Sequence, residues 1–185
     1  MRPLIGIVGR NGSGKTTVCH YLRQKGFAYV SLSDFVRHAA KELDRPLNRE
    51  SLIQTANELK SLRGLSVLAD MALELCDQYP GAIVVDSIRL PEEAKTLKSK
   101  GFQLIGLSAD MDARFSRIQD RAGSTDDVSY QEFKDQDDRE GTGASKGQSI
   151  DACFDYCEHQ VINQGSIDEL HEKIDAILEE IRTPS

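Results

Sequence analysis

Eight residues near the start of the chain, Gly9–Thr16, fit the pattern G-x-x-x-x-G-K-[ST]. The glycines of this pattern permit a tight turn whose backbone N–H groups can approach phosphate oxygens. Its lysine reaches the outer phosphates, and its last hydroxyl can complete the shell of a Mg²⁺ ion. We therefore predict a site for Mg²⁺ and ATP. The residues expected to form it are Gly9, Asn11, Gly12, Ser13, Gly14, Lys15, Thr16 and Thr17.

The sequence on either side of this pattern favours the same interpretation. An apolar run, Leu4–Val8, leads into it, and a helical segment from Thr17 to about Lys25 follows. A buried strand, a glycine turn and a helix N-terminus form the arrangement in which the helix dipole assists anion binding. A glycine-rich turn that binds no ligand was the alternative, but it does not account for the lysine and the hydroxyl.

Further strands with polar residues at their carboxyl ends follow along the chain. Four short runs rich in strand formers come after the first one: residues 27–31, 82–86, 102–107 and 159–163. Because helical segments separate them, we predict a parallel five-stranded sheet with helices on both faces. The strand ends bring Asp34, Asp86 and Asn163 toward the glycine turn. Asp86 is expected to bind Mg²⁺ together with Thr16.

Several arginines are candidates for binding phosphates. Arg114, Arg117 and Arg121 recur at spacings of three and four, so they share one face of a predicted helix and could fold onto a transferred phosphoryl group. A solvated basic stripe is the alternative. Asp34 could orient an acceptor or act as a general base toward a hydroxyl. The residues expected to bind the acceptor are Asp34, Arg37, Arg63 and Arg89.

The chain of 185 residues is expected to form one domain, 1–185. A helical insertion at 34–78 is predicted to bind the acceptor. The helix and acidic, glycine-containing flap over 112–149 are predicted to form a lid, with a plain solvated loop as the alternative for the flap. A net charge of −7 argues against nucleic acid and anionic membranes as partners. We expect a cytoplasmic protein with a small nucleotide as its partner, and a homodimer remains open.

Four segments resemble P-loop kinases of the nucleoside monophosphate kinase group. Ser33–Arg37 is similar to their Asp-x-x-Arg entry to the acceptor subdomain. Asp86–Ala94 resembles the Asp-x-Arg-x-x-x-Glu-Ala stretch of phage-type deoxynucleoside monophosphate kinases, with one residue more between the aspartate and the arginine. Asn163–Gly165 lies in a segment similar to the closing part of dephospho-coenzyme A kinases, where the Asn-x-Gly turn lies near the donor base. Asn57–Gly64 is similar to archaeal adenylate-kinase-related proteins.

This resemblance implies a kinase that transfers a phosphoryl group from ATP to a nucleoside or deoxynucleoside monophosphate. It also implies that Asn163 and Gly165 contribute to the ATP site, and that Lys15, Asp34 and the three arginines of the lid helix are catalytic. Two alternatives remain open at this stage. One is a dephospho-coenzyme A kinase, which phosphorylates a ribose hydroxyl. The other is a P-loop regulatory ATPase with no small acceptor.

Overall fold

The computed structural model describes residues 2–120, 129–142 and 149–182. Within these residues five strands form one sheet in the order β2-β3-β1-β4-β5, and every neighbouring pair is parallel. The strands are β1 (Leu4–Gly9), β2 (Ala28–Ser31), β3 (Ile83–Ile88), β4 (Gln103–Ser108) and β5 (His159–Ile162). The predicted five-stranded parallel sheet is confirmed.

Helices cover both faces of the sheet. A 3₁₀ turn, Phe154–Tyr156, precedes β5. The α-helices of the described residues are α1 (Lys15–Gln24), α2 (Leu32–Glu42), α3 (Arg49–Arg63), α4 (Val67–Cys76), α5 (Pro91–Ser99), α6 (Met111–Gln119), α7 (Tyr130–Thr142), α8 (Ile150–Cys153) and α9 (Ile167–Arg182). None of the helices in the described ranges is long and apolar enough to cross a membrane.

The central strand β1 is apolar because it is covered on both sides. Side chains of Ile5 and Ile7 pack with α1 and α9 on one face, and Val8 packs with α2, α4, α5 and α8 on the other. Continuous apolar strands of this kind are typical of parallel sheets buried on both faces. Since β1 is flanked by β3 and β4, the loop that follows it opens at the point where the strand order reverses.

Local sequence signals mark the end of α1 and the start of α3. Gly26 adopts a φ of 89° directly after α1, and the N–H of Phe27 bonds back to the carbonyl of Leu22, which is the pattern of a glycine C-cap. Asn48 caps α3 through a 2.9 Å bond from the backbone N–H of Ser51.

The start of α2 differs from the prediction. The helix begins at Leu32, two residues before the predicted start of the helical insertion at 34, so Ser33 and Asp34 lie inside it. Strand β2 passes directly into the helix without a loop. Asp34 lies instead in the first turn, where its negative charge complements the helix dipole.

Three helices, α2, α3 and α4, lie between β2 and β3, where a single crossover helix would connect the strands. They coincide with the predicted helical insertion at 34–78. In the predicted lid region, α6 and α7 are described, whereas 121–128 and 143–148 lie outside the described residues.

Candidate active site

The loop between β1 and α1 has the backbone conformation that its glycines allow. Gly12 and Gly14 have φ angles of 77° and 105°, which side chains other than glycine rarely adopt. The N–H of Ser13 bonds to the carbonyl of Arg10 at 3.2 Å and closes the turn. The first N–H groups of α1 follow immediately, so the loop and the helix N-terminus face the same space.

Two neighbours pack so closely on this loop that no side chain would fit. A Cβ at Gly12 would lie 2.6 Å from the carbonyl oxygen of Arg114, and one at Gly14 would lie 2.3 Å from Nδ2 of Asn163. Asn163 is buried and donates from Nδ2 to the carbonyl of Ser13 at 2.9 Å. Asn163, the residue after β5, therefore holds the loop in place through this hydrogen bond.

Lys15 is half-buried at the start of α1, and its Nζ donates to the carbonyl of Arg10 at 2.9 Å. Burial lowers the pKa of this ammonium group to about 8, with the charge of Arg89 acting in the same direction and Asp86 opposing it. A cation held in so poorly solvated a place gains strongly from an incoming anion.

Asp86 and Thr16 fit the role of Mg²⁺ ligands. The Asp86 carboxylate is buried near the end of β3, where it accepts a 2.9 Å bond from the hydroxyl of Ser87 and faces Sγ of Cys19 at 3.9 Å. Both of these hydrogen-bond partners are neutral, and Lys15 is a nearby positive charge that interacts with the carboxylate. Thr16 is exposed at the mouth of the loop. A carboxylate and a hydroxyl are the oxygen ligands that Mg²⁺ prefers.

A chain of hydroxyl groups connects Asp86 with α2. The Ser87 hydroxyl lies 3.2 Å from that of Ser31, which lies 3.0 Å from that of Ser33, and Arg37 donates to Ser33 at 2.6 Å. Since Arg37 can only donate and Asp86 can only accept, all the hydroxyl protons point toward the carboxylate.

Ser87 itself has a φ of 63° and lies at a shift in the pairing of β1 with β3. Such a conformation costs a residue other than glycine about 1–3 kcal/mol. The irregularity directs the chain after Asp86 out of the sheet, so that Ser87 and Arg89 line the cleft described below.

Arg114 is buried and forms a bidentate ion pair with Asp137 of α7, at 2.5 and 2.8 Å. It also donates to the carbonyl of Asn11 in the loop. Arg10 joins the same carboxylate at 2.5 Å and pairs with Asp151 of α8. Burial raises the pKa of Asp137, but the hydrogen bonds from Arg114 and Arg10 outweigh it, so the pKa lies below its usual range.

Arg117 ties the loop to the end of β5. Its guanidinium donates to the carbonyl of Gly12 at 3.3 Å and to that of Asn163 at 2.9 Å. Gly165 lies against the side chain of Glu169 in the first turn of α9. Arg121, the third arginine of the predicted set, lies outside the described residues. Arg114 and Arg117 thus face the loop, and their contact with phosphates stays a prediction.

A cleft of about 780 Å³ extends from the loop over α2 and α3. Asn11 and Ser87 form its end next to the loop. The side chains of Val36, Leu52, Ile53, Ala56 and Leu68 give it an apolar wall. Its charged lining comprises Arg37, Arg49, Glu50, Lys60, Arg89, Glu93 and Glu140. A cleft of this size and mixed character is typical of small-molecule sites.

Two arginines of the cleft share one carboxylate. Glu140 of α7 pairs with Arg89 at 3.3 Å and also with Arg49 at the start of α3. Both arginines are partly exposed, at 38% and 44% of the side chain, whereas Glu140 is 15% exposed. The converging guanidinium groups form an anion site beside the loop.

Glu93 lies buried in the wall of the cleft. Its Oε2 accepts the backbone N–H groups of Arg89 and Leu90 at 2.8 and 3.1 Å, while Oε1 has no hydrogen-bond partner among the described residues. Burial raises the pKa of Glu93, and the charge of buried Lys60 counteracts this. An unpaired buried carboxylate oxygen is costly, so a donor from a bound molecule would be strongly favoured there.

The remaining candidates for the acceptor site are placed differently. Arg37 lines the cleft and pairs with Asp34 at 3.1 Å on the exposed side of α2. Asp34 is itself exposed and does not belong to the cleft lining. Arg63 lies exposed at the end of α3, also outside that lining. Of the four predicted acceptor residues, Arg37 and Arg89 thus line the cleft, whereas Asp34 and Arg63 do not.

The sequence did not indicate six residues of the site: Arg10, Arg49, Lys60, Glu93, Asp137 and Glu140. The two acids of α7 lie in a stretch that looked like a solvated flap, because acids outnumber apolar residues there. Their three-residue spacing on one predicted helix face was the available signal. Glu93 is an acid in the first turn of α5, but the sequence does not show that it is also buried in the wall of the cleft.

We expect Gly14→Ala to destabilise the protein by more than Gly26→Ala. Both residues have positive φ, which costs alanine roughly 1–2 kcal/mol. Only Gly14 also faces a neighbour, so its Cβ would displace Asn163 and break the bond to Ser13, costing about 1 kcal/mol more. Urea unfolding of the two variants measures the difference, and equal losses would contradict the tight contact.

We expect Asp137→Asn to lower the free energy of unfolding at pH 7 by about 3 kcal/mol, because Arg114 would be left buried without a counter-ion. Asp135→Asn, on the same helix, is the control and should change it by less than about 0.5 kcal/mol. Since the pKa of Asp137 is lowered by folding, its contribution is present above about pH 4 and lost as the pH falls through the folded value. The difference in the free energy of unfolding between the wild type and Asp137→Asn should therefore become smaller at acidic pH. A constant gap down to pH 3 would mean that charge is not its cause.

Comparison with known proteins agrees with this architecture. A UPF0200/UPF0201 protein of Archaeoglobus fulgidus is 31% identical over 95% of this chain, which spans 54% of that protein's length. A UPF0200 protein of Methanococcus vannielii is 28% identical, with 96% of both chains covered.

Solved structures share the fold at low sequence identity. TT1252 from Thermus thermophilus has a TM-score of 0.67 at 20% identity, covering 97% of this chain and 98% of its own. Shikimate kinase from Acinetobacter baumannii, in complex with shikimate, has a TM-score of 0.60 at 15% identity, covering 97% and 95%. The chain therefore shares its overall fold with these two structures. A family model described as AAA domain matches residues 5–140, and the chain belongs to that family.

Proposed function

We propose that the protein transfers the terminal phosphoryl group of ATP to a nucleoside or deoxynucleoside monophosphate. The observation that carries this proposal is the cleft that begins at the phosphate loop and brings Arg49 and Arg89 together. An anion held by Arg89 and Arg49 would lie beside the end of the loop, next to Asn11 and Ser87. Phosphoryl transfer needs this juxtaposition of two phosphates more than it needs covalent chemistry.

The donor side is supplied by the loop. Its N–H groups and Lys15 would hold the β- and γ-phosphates of ATP, and Thr16 with Asp86 would hold Mg²⁺, which neutralises charge on the transferred group. Arg117 fixes the loop against the end of β5, so these donors are oriented before ATP arrives. Preorganised donors of this kind stabilise the charge that develops during transfer.

The acceptor side favours a phosphate over a hydroxyl as the nucleophile. A hydroxyl acceptor, as in dephospho-coenzyme A kinases, benefits from a base. Asp34 is exposed, is not part of the cleft lining, and has its charge paired with Arg37. An acceptor phosphate is already anionic and needs no base. A regulatory ATPase without an acceptor would leave the cleft and its cations without a role.

The apolar wall and Glu93 suit a nucleobase at the far end of the cleft. A base can pack on Val36, Ala56 and their neighbours while one of its amino groups donates to Oε1 of Glu93. Adenine and cytosine carry such an amino group, whereas hypoxanthine and uracil present a carbonyl oxygen at the equivalent position. We infer that the amino-bearing bases are preferred.

We expect a coupled ADP-release screen to find turnover with one or more nucleoside monophosphates. The panel should contain all ribo- and deoxyribonucleotides, dephospho-coenzyme A and shikimate, the ligand of the Acinetobacter enzyme. Lys15→Ala should reduce transfer about 100-fold or more while the protein stays folded, since Lys15 faces the ligand space. Lys41→Ala, on the exposed side of α2, is the control. Turnover retained in Lys15→Ala, or seen only with dephospho-coenzyme A or shikimate, would contradict the proposal.

We expect Glu93→Gln to reverse the preference for the base. The glutamine carbonyl can keep the two backbone bonds of Glu93, while its NH₂ group replaces the free acceptor with a donor. The ratios of kcat/KM for AMP over IMP and for CMP over UMP should fall by about 10-fold or more. Exposed Glu92→Gln, one residue earlier, is the control. Unchanged ratios in Glu93→Gln would remove Glu93 from base recognition.

A further inference from the structure

Helix α7 carries two acids that each hold a pair of arginines. Asp137 contacts Arg114 and Arg10, and Glu140 contacts Arg49 and Arg89. The acids are three residues apart, so both project from the same helix face. That face is directed at the phosphate loop and the cleft, whereas Asp135 is exposed on another side of the helix.

The two acids are held in different ways. Asp137 is buried with Arg114, and the pair is excluded from solvent. Glu140 contacts arginines that are more than a third exposed, and ion pairs with such exposure are weak and screened by salt. Asp137 is therefore the anchor of α7, and Glu140 is the contact that an incoming ligand can replace.

The position of α7 does not depend on these charges alone. Phe133 packs in the core beside Phe115 of α6, with ring centroids 5.6 Å apart, and Tyr130 contacts the same Phe115 ring edge-on at 5.1 Å. Gly141 has no side chain where Arg10 crosses the helix, and a Cβ there would overlap the guanidinium. The helix is thus seated by shape as well as by charge.

Glu140 occupies the site that the acceptor phosphate would use in the function proposed above, on which this inference rests. Arg49 and Arg89 cannot make full bidentate bonds to a carboxylate and to a phosphate at the same time. We propose that Glu140 is a specificity-determining residue. It fills the anion site of the cleft until a phosphate displaces it, and it thereby excludes acceptors that lack a strong anion.

The chemistry of the two anions gives the exchange its direction. A phosphate monoester carries close to two negative charges at neutral pH and offers three acceptor oxygens, whereas Glu140 carries one charge and two oxygens. A phosphate monoester therefore binds the two arginines in place of Glu140, whereas an unphosphorylated nucleoside has no anion that could replace the carboxylate. The nucleoside is excluded because it would have to break the contact of Glu140 with Arg49 and Arg89 without replacing it.

Replacement of the charge gives a clear test. Glu140→Gln keeps the shape of the side chain but removes the competing anion. If Glu140 is seated in about nine molecules of ten, the KM for the nucleoside monophosphate found in the screen should fall about 5- to 10-fold, with kcat little changed. Asp135→Asn, which removes a charge from the exposed side of α7, is the control and should change KM less than twofold. A KM that is unchanged or raised in Glu140→Gln would overturn the proposal, since a merely structural role gives that result.

A double-mutant cycle separates the site from general electrostatics. In an Arg89→Ala background, Glu140→Gln should lower KM by a smaller factor than in the wild type, because only the contact with Arg49 is left to compete for. An equal effect in both backgrounds would mean that Glu140 acts through the overall charge of the cleft, and the assignment to Arg89 would be wrong.

A binding measurement keeps this inference distinct from the proposed function. Inorganic phosphate is titrated calorimetrically into the wild type and into Glu140→Gln, with the loop saturated by a non-hydrolysable ATP analogue. Tighter binding of phosphate to the variant by several-fold supports Glu140 as the occupant, even if the screen finds no nucleotide acceptor and the proposed function fails. Equal binding, together with transfer to a nucleoside monophosphate, would retain the function and overturn the role of Glu140.

Discussion

The buried contact between Asp137 and the guanidinium groups of Arg114 and Arg10 is the interaction on which the site depends. It joins four parts of the chain that are far apart in sequence: the phosphate loop, α6, α7 and, through Asp151, α8. Arg114 also bonds to the loop backbone at Asn11 and packs its own backbone against Gly12. The loop therefore takes its shape from α6, and α6 is held by an acid of α7.

Such an arrangement is stable only as a complete set. Two arginines and one carboxylate in a poorly solvated place need every remaining hydrogen-bond donor satisfied, and here the carbonyls of Ala109 and Asn11 and the carboxylate of Asp151 supply the partners. Removing one member leaves a charge that burial penalises. This all-or-none character suits a site whose parts must stand in fixed relation before two phosphates meet.

The sequence was most informative where chemistry and local conformation coincide. The glycine loop, the strand before it and the C-cap at Gly26 follow from backbone requirements that few residue types meet, and the parallel sheet follows from apolar runs separated by helices. The contacts of Asp137 and Glu140 could not be predicted in this way. Asp137 lies 127 residues from Arg10, and Glu140 lies 91 from Arg49, so only the folded chain brings them together.

Misplaced expectations have an equally physical origin. Arg63 and Arg49 bound the same helix, α3, and both are arginines near a helix end, but only the residue at the N-terminal end of α3 faces the cleft. Helix orientation within the insertion decides this, and amphipathic spacing does not reveal it. Asp34 lies on the exposed side of α2, where it pairs with Arg37.

The acidic character of α7 has a direct physical cause in this arrangement. Each of the two acids brings two guanidinium groups together, Arg49 with Arg89 at Glu140 and Arg114 with Arg10 at Asp137. Guanidinium groups held so close would repel each other without the acid between them. Acids from the chain itself relieve that repulsion. Because Asp137 and Glu140 are separated by less than one helical turn, with about 5–6 Å between Cβ atoms at such a spacing, the two arginine pairs lie at neighbouring positions along one line. Two phosphoryl groups that meet end to end also need positive charge at two neighbouring positions. The acids at positions i and i+3 of α7 place one carboxylate at each of the two arginine pairs.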